Sequence, residues 1–228
     1  MNILLPRRSF LETSLGAIAG FGFVGCGRNG ASQVSEETID NAATELAEAI
    51  VQAMNEFRPT LESGATVYAV ALVVLDDSSD VQLYTNTDQH LATTDGTDFD
   101  RWYFGEFWSE GLPVNFDALT KHLGEVEDWD ESPEKGNAVS WLVAMTRAMK
   151  LAKKQGVFNF GDKQATVFCS MVDSPNAIWL EDNSARFLNS AEAYAAAASG
   201  LKAASTEWYQ PEGEDGHPAF KAAYESKL

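Results

Sequence analysis

Cysteine is nearly absent from this chain of 228 residues: there are two, Cys26 and Cys169. That excludes a disulfide framework and a zinc cluster built on thiolates. Histidine is scarce too. His90, His122 and His217 lie far apart, and a metal site would need them to converge with carboxylates. Cations are outnumbered, 16 Lys and Arg against 34 Asp and Glu, which leaves a formal net charge of −18. Nucleic acid is therefore not an expected partner, because phosphate binding takes clustered Lys and Arg that release counterions. Lysine supplies nine of the 16 basic residues, so the composition is not an extreme salt adaptation. Also missing are a Gly-x-Ser-x-Gly nucleophile elbow, His-Glu-x-x-His, a Gly-rich phosphate loop and Cys-x-x-Cys. No catalytic residue, no metal site and no cofactor is expected on these grounds.

What is present suffices for a packed core. Hydrophobic residues make up 45% of the chain and aromatic residues 11%, both ordinary for a globular protein. The length predicts one domain with appendages. The acidic surface keeps such a domain soluble and draws basic partners or cations toward it.

The N-terminus reads as an address. Arg7-Arg8 is followed by Phe10-Leu11 and then by an uncharged, Gly- and Ala-rich run from Leu15 to Val24. This is the layout of an export signal. The run is too short to cross the roughly 30 Å hydrocarbon core as a helix. Arg7, Arg8, Phe10 and Leu11 resemble the core of a twin-arginine signal, with Pro6 and Glu12 departing from its usual flanks. Phe23-Val24-Gly25-Cys26 resembles a lipobox, with Phe23 in place of the usual Leu, and makes Cys26 the expected lipidation site. Plain cleavage, or an ordinary apolar helix, remains the alternative. With Cys26 acylated, Cys169 is left as a small buried hydrophobe. The expected organisation is an export signal at 1–25, a flexible tether at 26–36, one domain at 37–204, and a loosely ordered tail at 205–228 that ends in a docking helix. Ser226-Lys227-Leu228 has the form of a peroxisomal address, which conflicts with a bacterial export signal and reads as chance.

Within the body, Ser35 is an N-cap candidate before apolar residues spaced by three or four from Ile39 to Phe57, and Pro59 closes that helix. Residues 66–75 are β-branched and apolar on both faces, the mark of a central buried strand. Residues 81–87 return as its antiparallel partner after the turn Asp76-Asp77-Ser78-Ser79-Asp80. The aspartates of that turn suit Ca²⁺, yet the stretch lacks the Gly and distal Glu of an EF-hand loop and reads as a solvated turn. Helices are expected near 115–129 and 133–155, strands at 164–173 and 177–180, and a further helix ending at Gly200. The predicted class is α+β, a small antiparallel sheet of about four strands packed with several helices.

The densest aromatic cluster is residues 99–111. Arg101, Trp102, Glu106 and Trp108 are the candidate binding residues, because Arg and aromatic rings together make binding hot spots. The plainer alternative packs Trp102, Phe104 and Trp108 into the core and pairs Arg101 with Glu106. Nothing in the stretch activates a nucleophile, so it binds rather than cuts. Glu106 with Asp173 is the carboxylate pair a hydrolase reading would use.

In chain order, Tyr68-Ala69-Val70-Ala71-Leu72, Asn86-Thr87, Arg101-Trp102 with Glu106-Phe107-Trp108, Asp173, Ser184 and Leu188-Asn189 resemble a bacterial family, domain of unknown function 4303, over residues 38–190. The resemblance implies no known activity. Its members look like companions of toxin systems, in which small acidic domains act as immunity proteins; those are often cytoplasmic, and the exported N-terminus departs from that. The expected function is an exported, lipid-anchored, acidic binding protein with a protein partner, toxin-like or of the envelope, held to the membrane through Cys26 at the periplasmic or outer surface. An envelope hydrolase using paired carboxylates is the alternative, and a cation-binding surface protein a third reading.

Overall fold

The computed structural model describes residues 34–61, 63–75, 80–93, 102, 112–126, 137–172, 174, 176–209 and 218–228. Ala31–Leu228 forms one compact unit.

Helix α1 (Glu36–Phe57) begins where its chemistry says it should. The Ser35 hydroxyl accepts the Thr38 amide at 3.1 Å, and Glu36 and Glu37 sit in the positive first turn. Ile39, Ala43, Leu46, Ile50 and Met54 form its buried face. Ser35→Ala should cost about 1 kcal/mol, measured by chemical denaturation; an unchanged midpoint would show that the cap carries no stability. At its end the Arg58 guanidinium donates to the carbonyls of Gly156, Val157 and Asn159 and lies 5.0 Å from the centre of the Phe160 ring. That one side chain ties α1 to a distant turn.

Strands β1 (Val67–Val74) and β2 (Val81–Thr87) pair antiparallel, Val74 opposite Val81. A two-residue β3 (Leu112–Pro113) extends β2. A short helix α2 (Asp88–Leu91) follows β2, and α3 (Asp117–Leu123) and α4 (Ala138–Lys154) lead to a small hairpin, β4 (Asn159–Phe160) and β5 (Lys163–Gln164). Strand β6 (Thr166–Met171) then joins the main sheet, whose order is β3-β2-β1-β6. Helices α5 (Ala177–Leu188), α6 (Ala191–Tyr209) and α7 (Pro218–Glu225) follow among the described residues.

The α+β class is as the sequence predicts. The sheet, however, is mixed and not antiparallel throughout, because β6 runs parallel to β1, Ala69 beside Thr166 and Val74 beside Met171. The alternation of Ala165, Val167, Cys169 and Met171 fixes which side chains face one layer, but alternation carries no direction. The chain reaches β6 by way of helix α4, which is how a parallel neighbour is normally reached. Residues 177–180 are helix and not strand. The buried positions Ala177, Leu180, Glu181, Ser184, Ala185 and Leu188 recur at helical spacing, and four residues are too few to show that period. Helix α3 stops at Gly124, which adopts φ 77, five residues before the expected end. Helix α6 does not stop at Gly200 but runs through it.

The sheet is covered on both faces. On one, Val70, Leu72, Val74, Leu83, Val167 and Cys169 pack with α1, α4 and α7. On the other, Ala69, Ala71, Val73 and Phe168 pack with Trp102 and with Ala197, Leu201 and Ala204 of α6. The short alanine side chains of β1 lie in the same apolar cluster as that helix. Among the described residues, no helix is long and apolar enough to cross a membrane.

Candidate functional site

The pairing of β1 with β2 breaks once. Val67 faces Thr87 and Ala69 faces Asn86, so Tyr68 is the extra residue of a β-bulge. A bulge re-aims a side chain. Here Tyr68 and Ala69 both turn toward the α6 face, though strict alternation would send one the other way. The Tyr68 ring meets the Trp102 indole edge to face, with centroids 6.1 Å apart and planes at 87°. Trp102 is 8% exposed. Its pyrrole edge lies over Gly200, where a Cβ would come within 2.2 Å of Cδ1 and 2.3 Å of Nε1. Gly200 is thus a gap in the helix surface that receives a ring, which is why it interrupts no helix.

Beside these rings lies a cavity of about 370 Å³. Tyr68, Trp102 and Gly200 line it from within, and Gln164, Thr166 and Ser199 supply polar groups. Ala193, Ala196 and Ala197 complete the wall on α6. No carboxylate, imidazole, thiol or amine stands among these residues. These described residues can hold a ligand by ring contact and neutral hydrogen bonds.

Of the sequence-predicted binding residues, Trp102 forms part of this wall. Arg101, Glu106 and Trp108 lie outside the described residues, as do Arg7, Arg8, Phe10, Leu11 and Cys26 and the pair Glu106 and Asp173. The described histidines do not meet. His122 Nε2 stands 2.8 Å from Glu45, which also accepts from Lys121, and His90 lies in α2. Among the described residues no group of three or more His, Cys, Asp or Glu could hold a metal ion.

Sequence reasoning missed two features. The first is Glu181, a carboxylate only 4% exposed that accepts a hydrogen bond from Ser170. Reading 177–180 as a strand hid the helix that carries it inward. The second is the outer edge of β6. Ser184 Oγ accepts the Cys169 amide at 2.9 Å. Asn189 goes further: Oδ1 accepts the Val167 amide at 3.0 Å and the Lys153 ammonium at 2.9 Å, while Nδ2 donates to the carbonyls of Val167 at 2.7 Å and Ala185 at 2.8 Å. Two side chains thereby stand in for a missing strand and cover an edge that would otherwise be free to pair. Burial of Lys153 beside Asn189 pulls its ammonium down to about 8.

The profile of the family described as Domain of unknown function (DUF4303) matches residues 46–190. The chain belongs to that family. No curated protein and no solved structure matches it. The residues on which the resemblance rests have these places: Tyr68 is the bulge, Thr87 caps α2 by accepting the His90 amide at 3.1 Å, Trp102 fills the gap at Gly200, and Ser184 and Asn189 cover the β6 edge. In this DUF4303 chain Tyr68 and Trp102 stand in the wall of the pocket, and Ser184 and Asn189 cover one edge of the sheet.

Proposed function

We propose that this chain is an exported, lipid-anchored, non-catalytic binding protein. Its body would be delivered through the signal around Arg7 and Arg8, held at the membrane through Cys26, and presented to a protein partner outside the cytoplasm. The observation that carries the binding reading is the pocket at Tyr68 and Trp102, which joins two rings to neutral hydrogen-bonding groups and has no carboxylate, imidazole, thiol or amine among its described lining residues. The net charge of −18 favours a basic partner face by electrostatic steering. A toxin of the systems whose companions the family's members resemble is the partner class to test first.

The test is cell fractionation combined with capture from envelope extracts. Arg7→Lys with Arg8→Lys should leave a folded precursor in the cytoplasm, and Cys26→Ala should move the protein from the membrane to the soluble fraction. The unaltered chain should retain a specific protein through a stringent wash, with binding that weakens as salt screens the acidic surface. Unchanged fractionation of both variants would overturn the export and anchor reading, and an envelope extract that yields no partner would overturn the other half.

A further inference from the structure

We propose that the pocket between the β1 bulge and α6 takes a single uncharged sugar ring, free or at the end of a glycan. This inference rests on the reading of that pocket as a binding site and names what fills it. The cavity, about 370 Å³, is of small-ligand size. Its chemistry narrows the ligand in three steps. A phosphate, carboxylate or ammonium would leave water and find no countercharge among the described lining residues, which is costly. A wholly apolar ligand would seal off polar groups: the Thr166 and Ser199 hydroxyls have no hydrogen-bond partner among the described residues, and Gln164 uses one N–H on Asn159 at 3.0 Å and keeps its carbonyl oxygen. A sugar ring has what remains, an apolar C–H face for Trp102 or Tyr68 and a rim of hydroxyls that both donate and accept. The small side chains on α6 leave the space, and Gly200 lets Trp102 stand deep enough to bound it.

Isothermal titration of the full chain with glucose, N-acetylglucosamine and their β-linked tetramers tests this. We expect saturable one-to-one binding with Kd of about 1–10 mM for the better monosaccharide. Ser199→Trp should abolish it, with the melting temperature unchanged because position 199 is exposed. Gln164→Ala, also exposed, should weaken it about threefold to tenfold through one lost hydrogen bond. A tetramer that binds about tenfold or more tighter than its monomer identifies a glycan as the source, and equal affinity identifies the free sugar. Absence of saturation by any of these sugars, or binding indifferent to Ser199→Trp, overturns the proposal. Capture of a protein partner is read separately, so a chain that binds sugar but no protein refutes the partner reading alone, and the reverse result refutes only this one.

Discussion

Asn189→Ala should lower stability by about 2–4 kcal/mol, a large share of the roughly 5–15 kcal/mol available to a domain. The side chain spends its full hydrogen-bonding capacity, two donors and two accepting positions, on four partners. Truncation leaves the Val167 amide and carbonyl, on a strand whose side chains lie in the core, without protein partners. Asn189 is half-buried, so water recovers part of the loss, and this sets the lower bound. Lys153 would lose its acceptor as well, and its ammonium, already down at about 8, would be driven lower. Asn189→Asp is the sharper variant: it keeps the shape and the bond from the Val167 amide, but turns an oxygen toward two carbonyl oxygens, and it should also destabilise. Urea denaturation gives the size. Hydrogen exchange at the Val167 amide gives the place, and it should accelerate well beyond exchange in α1. A loss under about 0.5 kcal/mol, within what a surface substitution costs, would mean that the β6 edge is held by something other than this amide.

The elements that could be read from sequence are those with a complete local signal. Ser35 with two following glutamates, then apolar residues at helical spacing, defines α1 almost to the residue, and residues 67–75, aliphatic or aromatic at every position, announce a strand with both faces covered. What stayed hidden depends on partners distant in sequence. Thr166 to Met171 look the same whether β6 runs with β1 or against it, since only the path through α4 decides that. Gly200 carries the ordinary mark of a helix stop, and only Trp102, 98 positions earlier, shows that its missing Cβ serves as space. Tyr68 sits inside a run of perfect strand residues, and the bulge that turns it toward Trp102 is visible only against Asn86 on the neighbouring strand. The same holds for Asn189: a lone asparagine after a helix reads as a cap, and its work on Val167 is tertiary. Trp102 could be singled out as a member of an aromatic cluster, but the groups it faces, Tyr68 and Gly200, are not in that cluster.

Tyr224→Ala should cost about 3–5 kcal/mol and make Cys169 reactive in the native protein. The ring is fully buried, 5.2 Å from the centre of the Trp179 ring, and with Phe220 it forms the inward face of α7. Its hydroxyl lies 2.8 Å from Thr146 Oγ1, which donates to the Leu142 carbonyl at 2.9 Å, so the tyrosine O–H supplies the proton of the shorter contact. Thr146 also stands 3.6 Å from the Cys169 sulfur. Helix α7 therefore covers the thiol, and outside the core Lys227 holds its end through Glu36 at 2.9 Å. Tyr224→Phe keeps the ring and loses one hydrogen bond, so it should cost only about 1 kcal/mol and leave Cys169 inert. Burial pushes the Cys169 thiol up to about 12 and the Tyr224 phenol well above its ordinary 10. Groups raised in this way stabilise fully below their unfolded values and lose that contribution as pH climbs through the folded ones. For Cys169 that window runs from the ordinary 9 to about 12. Lys153, depressed from 10.5 to about 8, adds stability with rising pH over that lower range, so the loss is read as a difference. Between pH 9 and 11 the unaltered chain should lose more stability than Cys169→Ala, in a background where Cys26 is also replaced. Thiol labelling without denaturant completes the test: slow in the parent and in Tyr224→Phe, fast in Tyr224→Ala. Fast labelling in the parent would show that α7 does not guard the thiol.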